Sequence, residues 1–187
     1  MGKPQVDAIR AVEVATDNLE NIGDFCTHIA DQLHYLKHFR LLDEFAPDRY
    51  FQEILQTFDD IEPAVVGRES APAFRICSSE YRLDSLYKKD FDRILQELES
   101  RGHVGDLITI LFIVRYLERT GDALLNIGEA ALSCILGEKF KIHQVNILDR
   151  AVLELEGMQT DPGMADAGEE TPDHLQETHG LDRVEYH

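Results

Sequence analysis

The segment LERTGDALLNIGEA, residues 117–130, has the apolar spacing of a helix and yet carries Gly121 near its centre. Acidic side chains recur along one side of it, at Glu118, Asp122 and Glu129. A similar layout, LENIGDFCTHIADQ, occupies residues 19–32, 98 positions earlier. Glycine inside a helix costs about 1 kcal/mol relative to alanine. The repeated pairing of glycine with an acid therefore indicates that another helix or a ligand approaches closely at these positions.

The composition restricts the class of partner. The chain has 187 residues, 43% of them hydrophobic, and a formal net charge of -18. That length supports one domain with a core, and an acidic surface repels phosphates, which argues against nucleic acid as a partner. The three cysteines are far apart, as is usual in a reducing compartment. No segment has the pattern of a signal peptide or a membrane span. We therefore predict a cytoplasmic protein without membrane insertion, which reaches a membrane only through a partner.

Apolar periodicity predicts an all-α fold, an antiparallel bundle of about four long helices with a short C-terminal helix. The predicted helices cover about residues 6–39, 48–63 with a kink or end at Pro63 and Gly67, 70–101, 103–136 with Gly137 as the stop, and 145–155. From Gly157 onward the chain is polar and acidic. The predicted organisation is a helical bundle domain at residues 1–156, followed by a disordered acidic tail at residues 157–187.

Acidic side chains in two of the predicted helices form continuous ridges. At about 100° per residue, one arc of about 80° contains Arg115, Glu118, Asp122, Asn126 and Glu129. The first helix has a comparable ridge, made of Glu13, Asp17, Glu20, Asp24, His28 and Asp31. A single acidic pair at such spacing usually marks a solvated face, but stacked carboxylates repel one another by a few tenths of a kcal/mol per pair. Bound cations would remove that cost.

The third predicted helix carries the strongest indication of a metal. Glu80 and Asp84 occupy an otherwise mostly apolar 4-3 seam formed by Ala73, Cys77, Tyr87, Phe91, Ile94 and Leu98. A buried carboxylate must be protonated, paired or metal-bound, and a salt bridge to Arg115 is the structural alternative. In the metal hypothesis, Glu80 and Asp84 face Glu118, Asp122 and Asn126 on the next helix. Carboxylate and amide oxygens suit divalent or ferric ions, iron or manganese above all, with zinc or magnesium as further candidates.

Three segments resemble the PhoU family of phosphate-signalling regulators. RYLERTGDALLNIGEA, residues 115–130, resembles the family's glycine-acid signature, and EYRLDSLYKKDFDRIL, residues 80–95, resembles the preceding helix. LENIGDFCTHIAD, residues 19–31, is similar to the equivalent signature of the family's first repeat. The resemblance covers about residues 5–140. It departs from the family pattern because the family's first two helices have no counterpart and because His28 stands where the family has Asn.

The resemblance implies a fold of two related three-helix bundles, with multinuclear metal clusters on the acidic motifs. It assigns Glu80, Asp84, Glu118, Asp122 and Asn126 to the second site, and Glu20 and Asp24 to the first. It also implies association with a phosphate transporter ATPase or a sensor histidine kinase. Since the sequence offers no second acidic helix to face the first ridge, we predict a homodimer in which the first helices meet and metal bridges the two ridges.

Three functions are compatible with these residues. The first is a metal-binding regulator of phosphate uptake or phosphate signalling that acts by protein contact. The second is a metal-dependent phosphohydrolase with a two-metal carboxylate site, and the third is a structural adaptor whose acidic residues are ion-paired. No general base is evident near the motifs, and Arg115 and Arg119 are the sole nearby cations of a phosphate clamp. The sequence therefore favours a protein without catalytic residues.

Overall fold

A computed structural model describes residues 2–100 and 102–141, and every regular element in those ranges is a helix. The all-α bundle predicted from the sequence is thereby confirmed. The helices are α1 (Lys3–Leu33), α2 (Phe39–Glu44), α3 (Asp48–Phe58), α4 (Ile61–Val65), α5 (Ser70–Ser100) and α6 (Val104–Leu136). The predicted helix at 145–155 and the predicted tail at 157–187 lie outside the described residues. Across the described ranges, no helix has both the length and the apolar character needed to cross a membrane.

Most helix ends follow the local signals in the sequence. Pro72 lies in the first turn of α5, and Gly137 adopts the left-handed conformation, with φ of 71°, directly after α6. The helix predicted from Asp48 is divided into α3 and α4, with Pro63 inside the short α4. The prediction that the first helix reaches Phe39 was wrong. The chain leaves the helix after Leu33, because this turn buries Leu36 and brings Lys37 against α6.

Helix α6 lies between α1 and α5 and runs antiparallel to both. Lys3 at the start of α1 donates to the carbonyl of Gly137 beyond the end of α6, at 2.6 Å, whereas Lys37 meets the opposite end of α6. Along α5, Cys77 adjoins Gly128 and Leu83 adjoins Gly121, which fixes the opposite direction for that pair. Helices α3 and α4 pack on α5 and α6, and α4 also touches α1. Both flanks of α6 are thus covered by long helices.

Two glycines of α6 allow α5 to approach very closely. A Cβ at Gly128 would lie 2.6 Å from Cys77 Sγ and 3.1 Å from the Ala73 carbonyl oxygen. A Cβ at Gly121 would lie 3.0 Å from Leu83 Cδ1. The predicted close approach at Gly121 is therefore confirmed, and the neighbour is a helix. No atom of a described residue lies within 4 Å of the corresponding point at Gly23.

The close contact of α5 with Gly121 and Gly128 also sets the rotation of α5 about its own axis. The seam predicted from the sequence was wrong in placing Glu80 and Asp84 in the core. Leu83 and Ile76 are completely buried against the bundle, whereas Glu80 and Asp84 are partly exposed. The buried carboxylate of α5 is Asp90, whose side chain is 5% exposed. It accepts hydrogen bonds from Tyr50 Oη at 2.9 Å and from Arg49 Nη2 at 3.1 Å, so it joins α5 to α3. Asp90 follows Leu83 by seven residues and therefore lies on the same face of α5. This spacing is the sequence signal that the predicted seam missed.

Candidate metal site between α5 and α6

Carboxylates from two helices meet at the crossing of α5 and α6. Asp84 comes from α5, and Glu118 and Asp122 come from α6. Burial raises the pKa of both carboxyl groups on α6, and the negative charge of Asp84 across the crossing adds to the rise. The Glu80 Cα lies 3.7 Å from the Cβ position of Gly121, so Glu80 belongs to the same crossing. The structure thus places Asp84, Glu118, Asp122 and the backbone of Glu80 at one crossing, but no three of these carboxylate groups have oxygens within 4.8 Å of one another.

The electrostatics of the crossing make each α6 carboxylate unfavourable to ionise. Burial raises the pKa of Glu118 most, the charge of Asp122 adds to this, and Arg115 offsets part of it. Burial also raises the pKa of Asp122, against the opposing effect of Arg115 and Arg119. Raised carboxyl pKa values at a helix crossing are frequent where a cation binds, although structural networks produce them too. A cation bound between these carboxylates would attract each of them and so offset their mutual repulsion.

Two ion pairs already neutralise part of the charge. Lys88 Nζ lies 2.7 Å from Asp84 Oδ2, and Arg115 Nη1 lies 2.6 Å from Glu118 Oε2. Both pairs join residues of one helix, and the Lys88 and Arg115 side chains are 71% and 47% exposed, so solvent screens both pairs and each stabilises the fold little. The sequence suggested a salt bridge from Arg115 to the acids of α5; in the structure Arg115 pairs with Glu118 on its own helix, and Asp84 pairs with Lys88.

Asn126 is turned toward α1, away from these carboxylates. Its Nδ2 donates to Asn18 Oδ1 at 3.1 Å, and Asn18 is itself fixed by a hydrogen bond to the Val14 carbonyl oxygen at 2.8 Å. Asn126 also lines a cavity of about 630 Å³ between the first half of α1 and the end of α6. The four carboxylates do not line this cavity. Asn126 therefore borders the candidate metal site and is engaged by another helix.

Glu20 and Asp24 are not brought to this site. Both are exposed on α1, and at about 100° per residue each lies about 200° around the helix from Ile22, which packs in the core. They consequently point away from α6. Among the described residues no second acidic helix faces them.

The donor set at the crossing is made of carboxylate oxygens, and Cys77, one to two turns away on α5, is a buried neutral thiol. Oxygen donors of this kind fit a hard divalent or ferric cation. Sequence reasoning also missed Asp106, a buried carboxylate in the first turn of α6. The signal for it was available, since acids are favoured in the first turn of a helix.

Comparisons with known proteins give a consistent result. The PhoU domain family matches residues 48–131, from the start of α3 into α6, which includes the crossing. The phosphate-specific transport system accessory protein PhoU homolog of Clostridium acetobutylicum is 30% identical over 136 residues, which cover 71% of this chain and 61% of the relative. PhoU homolog 1 of Thermotoga maritima is 28% identical over 132 residues, with coverages of 67% and 56%. The corresponding homolog 1 of Methanothermobacter thermautotrophicus is 23% identical over 148 residues, with coverages of 73% and 65%.

The matched part of this chain thus spans less than two thirds of the length of these curated relatives. No solved structure matches the chain at a significant level.

Proposed function

The chain belongs to the PhoU family, and from this premise we propose that it is a metal-binding regulatory protein of phosphate uptake or phosphate signalling. In this proposal it acts by contact with a phosphate transporter ATPase or a sensor histidine kinase, and it catalyses no reaction. The relatives' name, accessory protein of phosphate-specific transport, supports the regulatory role. The carboxylate cluster at the crossing of α5 and α6 supports the metal.

The observation that carries the metal proposal is the placement of Asp84 on α5 and of Glu118 and Asp122 on α6 at the close crossing of these helices around Gly121, where burial and neighbouring negative charge raise the pKa of both α6 carboxyl groups. A fold has no need to gather three carboxylates around a partly buried crossing unless something offsets their charge. Glu80, Asp84, Glu118 and Asp122 would hold the ion, and Asn126 lies at the edge of the site. A divalent or ferric ion would supply positive charge at the crossing and tie α5 to α6.

The surroundings of the cluster favour a regulator over a phosphohydrolase. Arg115 pairs with Glu118, and its guanidinium carbon lies 5.5 Å from the centre of the Tyr87 ring. Arg119 is held over the Phe25 ring at 5.0 Å. Both cations are therefore engaged by side chains of the bundle, and neither is placed as a free clamp for a phosphate group. A phosphatase assay with added manganese or iron tests this part, and turnover would contradict it.

The ion pairs Lys88–Asp84 and Arg115–Glu118 support the second candidate function, a structural adaptor without metal. Metal addition separates the two. Manganese or iron(II) added to chelator-treated protein should raise the melting temperature, and Asp84→Ala should abolish the rise. The matched control is Asp92→Ala, which removes an exposed carboxylate from the same helix and should leave the rise unchanged. An unchanged melting temperature, with no metal found by elemental analysis, would establish the adaptor instead.

The exposed face of α1 supports the proposed homodimer. Val12 and Leu19 are 48% and 38% exposed, and Cys26 and Ala30 continue the same face. An apolar stripe of this length on an isolated molecule favours association, and closed two-fold pairing satisfies both copies at once. Sedimentation at micromolar concentration, with and without chelator, should show a dimer. A monodisperse monomer under both conditions would leave the α1 motif as a half-site, to be completed by the transporter or kinase. A pull-down from phosphate-replete and phosphate-starved cells would then identify that partner.

A further inference from the structure

Two histidines and a buried carboxylate meet at the start of α6, far along that helix from the carboxylate cluster. Asp106 lies in the first turn of α6 and its side chain is 4% exposed. His38 follows α1 in the chain, and its Nδ1 lies 2.6 Å from Asp106 Oδ2. The ring of His103, directly before α6, is centred 4.4 Å from the ring of His38. One ligand atom of each of the three residues lies within 4.8 Å of those of the other two.

Asp106 is held in place by the backbone. The Lys37 amide donates to its Oδ1 at 2.6 Å, which leaves Oδ2 directed at His38. A hydrogen-bonded carboxylate of this kind has a fixed orientation, as the carboxylate ligands of metal sites usually do. Two segments that are distant in sequence, the connection after α1 and the start of α6, therefore converge on one point.

The positions of His38 and Asp106 have a simple structural explanation. The two side chains form an ion pair, and an acid is favourable at the start of a helix. This explanation does not account for His103. That ring is exposed, makes no side-chain cap to α6, and lies against a second exposed imidazole. Two imidazoles that are both protonated would repel each other, and such a pair becomes favourable when both are neutral and share a cation.

We propose that His38, His103 and Asp106 form a binding site for a divalent transition metal ion of the zinc type. Two imidazole nitrogens and one carboxylate oxygen are the donors that such ions take in three-ligand sites, with the remaining position open to solvent. The site differs in chemistry from the carboxylate cluster, because magnesium and calcium disfavour imidazole. It goes beyond the proposed regulatory function and does not depend on it.

Metal–ligand bonds of about 2.0–2.2 Å place neighbouring donor atoms roughly 3.3 Å apart in a tetrahedral site. The His38 Nδ1 to Asp106 Oδ2 distance of 2.6 Å must therefore widen by about 0.7 Å as the ion replaces the shared proton. His38 can make this movement because its side chain is 54% exposed and lies in the connection between α1 and α2, whereas Asp106 stays fixed. Binding displaces the proton of the His38–Asp106 hydrogen bond, so the metal ion competes with protons for this site.

The bound ion would join the segment after α1 to the start of α6. That connection is at present made by the hydrogen bonds of Lys37 and His38 to Asp106. Occupation of the site would therefore stabilise the docking of α1 on α6, at the end opposite to the contact of Lys3 with Gly137. The chain would respond to zinc-type ions at one end of α6 and to hard cations near its middle.

The test uses the full chain after chelator treatment, in an Asp84→Asn/Asp122→Asn background that removes the carboxylate cluster as a competing site. Zinc should bind stoichiometrically by calorimetry and raise the melting temperature, and magnesium should do neither. Cobalt(II) should give the visible absorption of a low-coordinate imidazole site. His103→Ala should weaken zinc affinity about tenfold to hundredfold, by analogy with the loss of supporting residues at other metal sites.

His103→Ala is the decisive variant, because His103 makes no side-chain cap to α6 and its loss should leave the fold intact. His38→Ala should give the same loss of zinc affinity. The control is His34→Ala, which removes an exposed histidine one turn before His38 and should bind zinc as the parent does. Zinc affinity that is unchanged in His103→Ala, or absent from the background protein, would overturn the site. Neither result bears on the manganese or iron response of the unmodified cluster, which is measured separately.

Discussion

Replacing Gly128 with alanine should destabilise the bundle, even though alanine favours helices. The added Cβ would lie 2.6 Å from Cys77 Sγ and 3.1 Å from both the Ala73 carbonyl oxygen and Ile76 Cγ2. The carbonyl oxygen belongs to the backbone of α5 and cannot move without that helix. Overpacking of this kind costs about 1–3 kcal/mol, whereas the helix propensity of alanine returns about 1 kcal/mol. We expect a net loss of up to about 2 kcal/mol, which lowers the melting temperature by as much as a few degrees in a chain of this size.

The matched control is Gly23→Ala. No atom of a described residue lies within 4 Å of the new Cβ, so the substitution should stabilise the protein by about 0.5–1 kcal/mol. Gly121→Ala should fall between the two, because the atom nearest to its Cβ is the movable Cδ1 of Leu83 at 3.0 Å. Urea unfolding followed by circular dichroism measures all three under identical, metal-free conditions. A stabilised Gly128→Ala would refute the close packing of α5 on α6, whereas a destabilised Gly23→Ala would show that this face of α1 is covered, as in the proposed homodimer.

Three further predictions follow from buried and charged groups. At neutral pH and without metal, Asp122→Asn should stabilise the chain by about 0.2–0.5 kcal/mol. Folding raises the pKa of the Asp122 carboxyl, so its ionisation opposes folding. The stability gained in Asp122→Asn should therefore vanish below about pH 4, where the carboxyl is protonated in both states. A gain that persists at that pH would contradict an electrostatic origin. A thiol reagent at pH 8 should modify exposed Cys26 and spare Cys77, because burial raises the pKa of the Cys77 thiol to about 12. Equal rates of modification of the two cysteines would contradict the burial of Cys77. Arg49→Met should destabilise the chain by about 1.5–3 kcal/mol, because buried Asp90 loses a charged donor. Arg75→Met, which removes the exposed partner of Asp60, should destabilise it much less, and similar losses of the two variants in urea unfolding refute this distinction.

The elements that the sequence predicts correctly are those governed by neighbouring residues. Pro72 and Gly137 mark the ends of α5 and α6 through their own backbone preferences, and the structure follows them. The rotation of α5 depends on contacts with a different helix. Because periodicity fixes only the relative positions of side chains on one helix, it placed Glu80 and Asp84 in the core where Leu83 lies. The end of α1 escaped prediction for the same reason, since Asp106 is distant in sequence from Lys37.

For the candidate site too, spacing along one helix was predictable from the sequence and contacts between helices were not. Acid spacing on single helices identified Asp84, Glu118 and Asp122, which the structure brings together across two helices. That spacing could not show that Asn126 is engaged by Asn18 of α1, since a hydrogen bond between residues so far apart depends on how the helices pack. It also could not show that Glu20 and Asp24 lie on the outer face of α1.

The central position of α6 has a consequence for the order in which the bundle assembles. Helices α5 and α6 are neighbours in the chain and form a hairpin through a short connection, so few residues must be ordered to bring them together. The contact of α1 with α6 closes a far longer loop, with 134 positions between Lys3 and Gly137. Contacts that close long loops form late in folding and slow it. Helix α1 should therefore dock last, on an α6 surface that the α5 hairpin has already made rigid, and its amides should be among the first to exchange hydrogen with solvent.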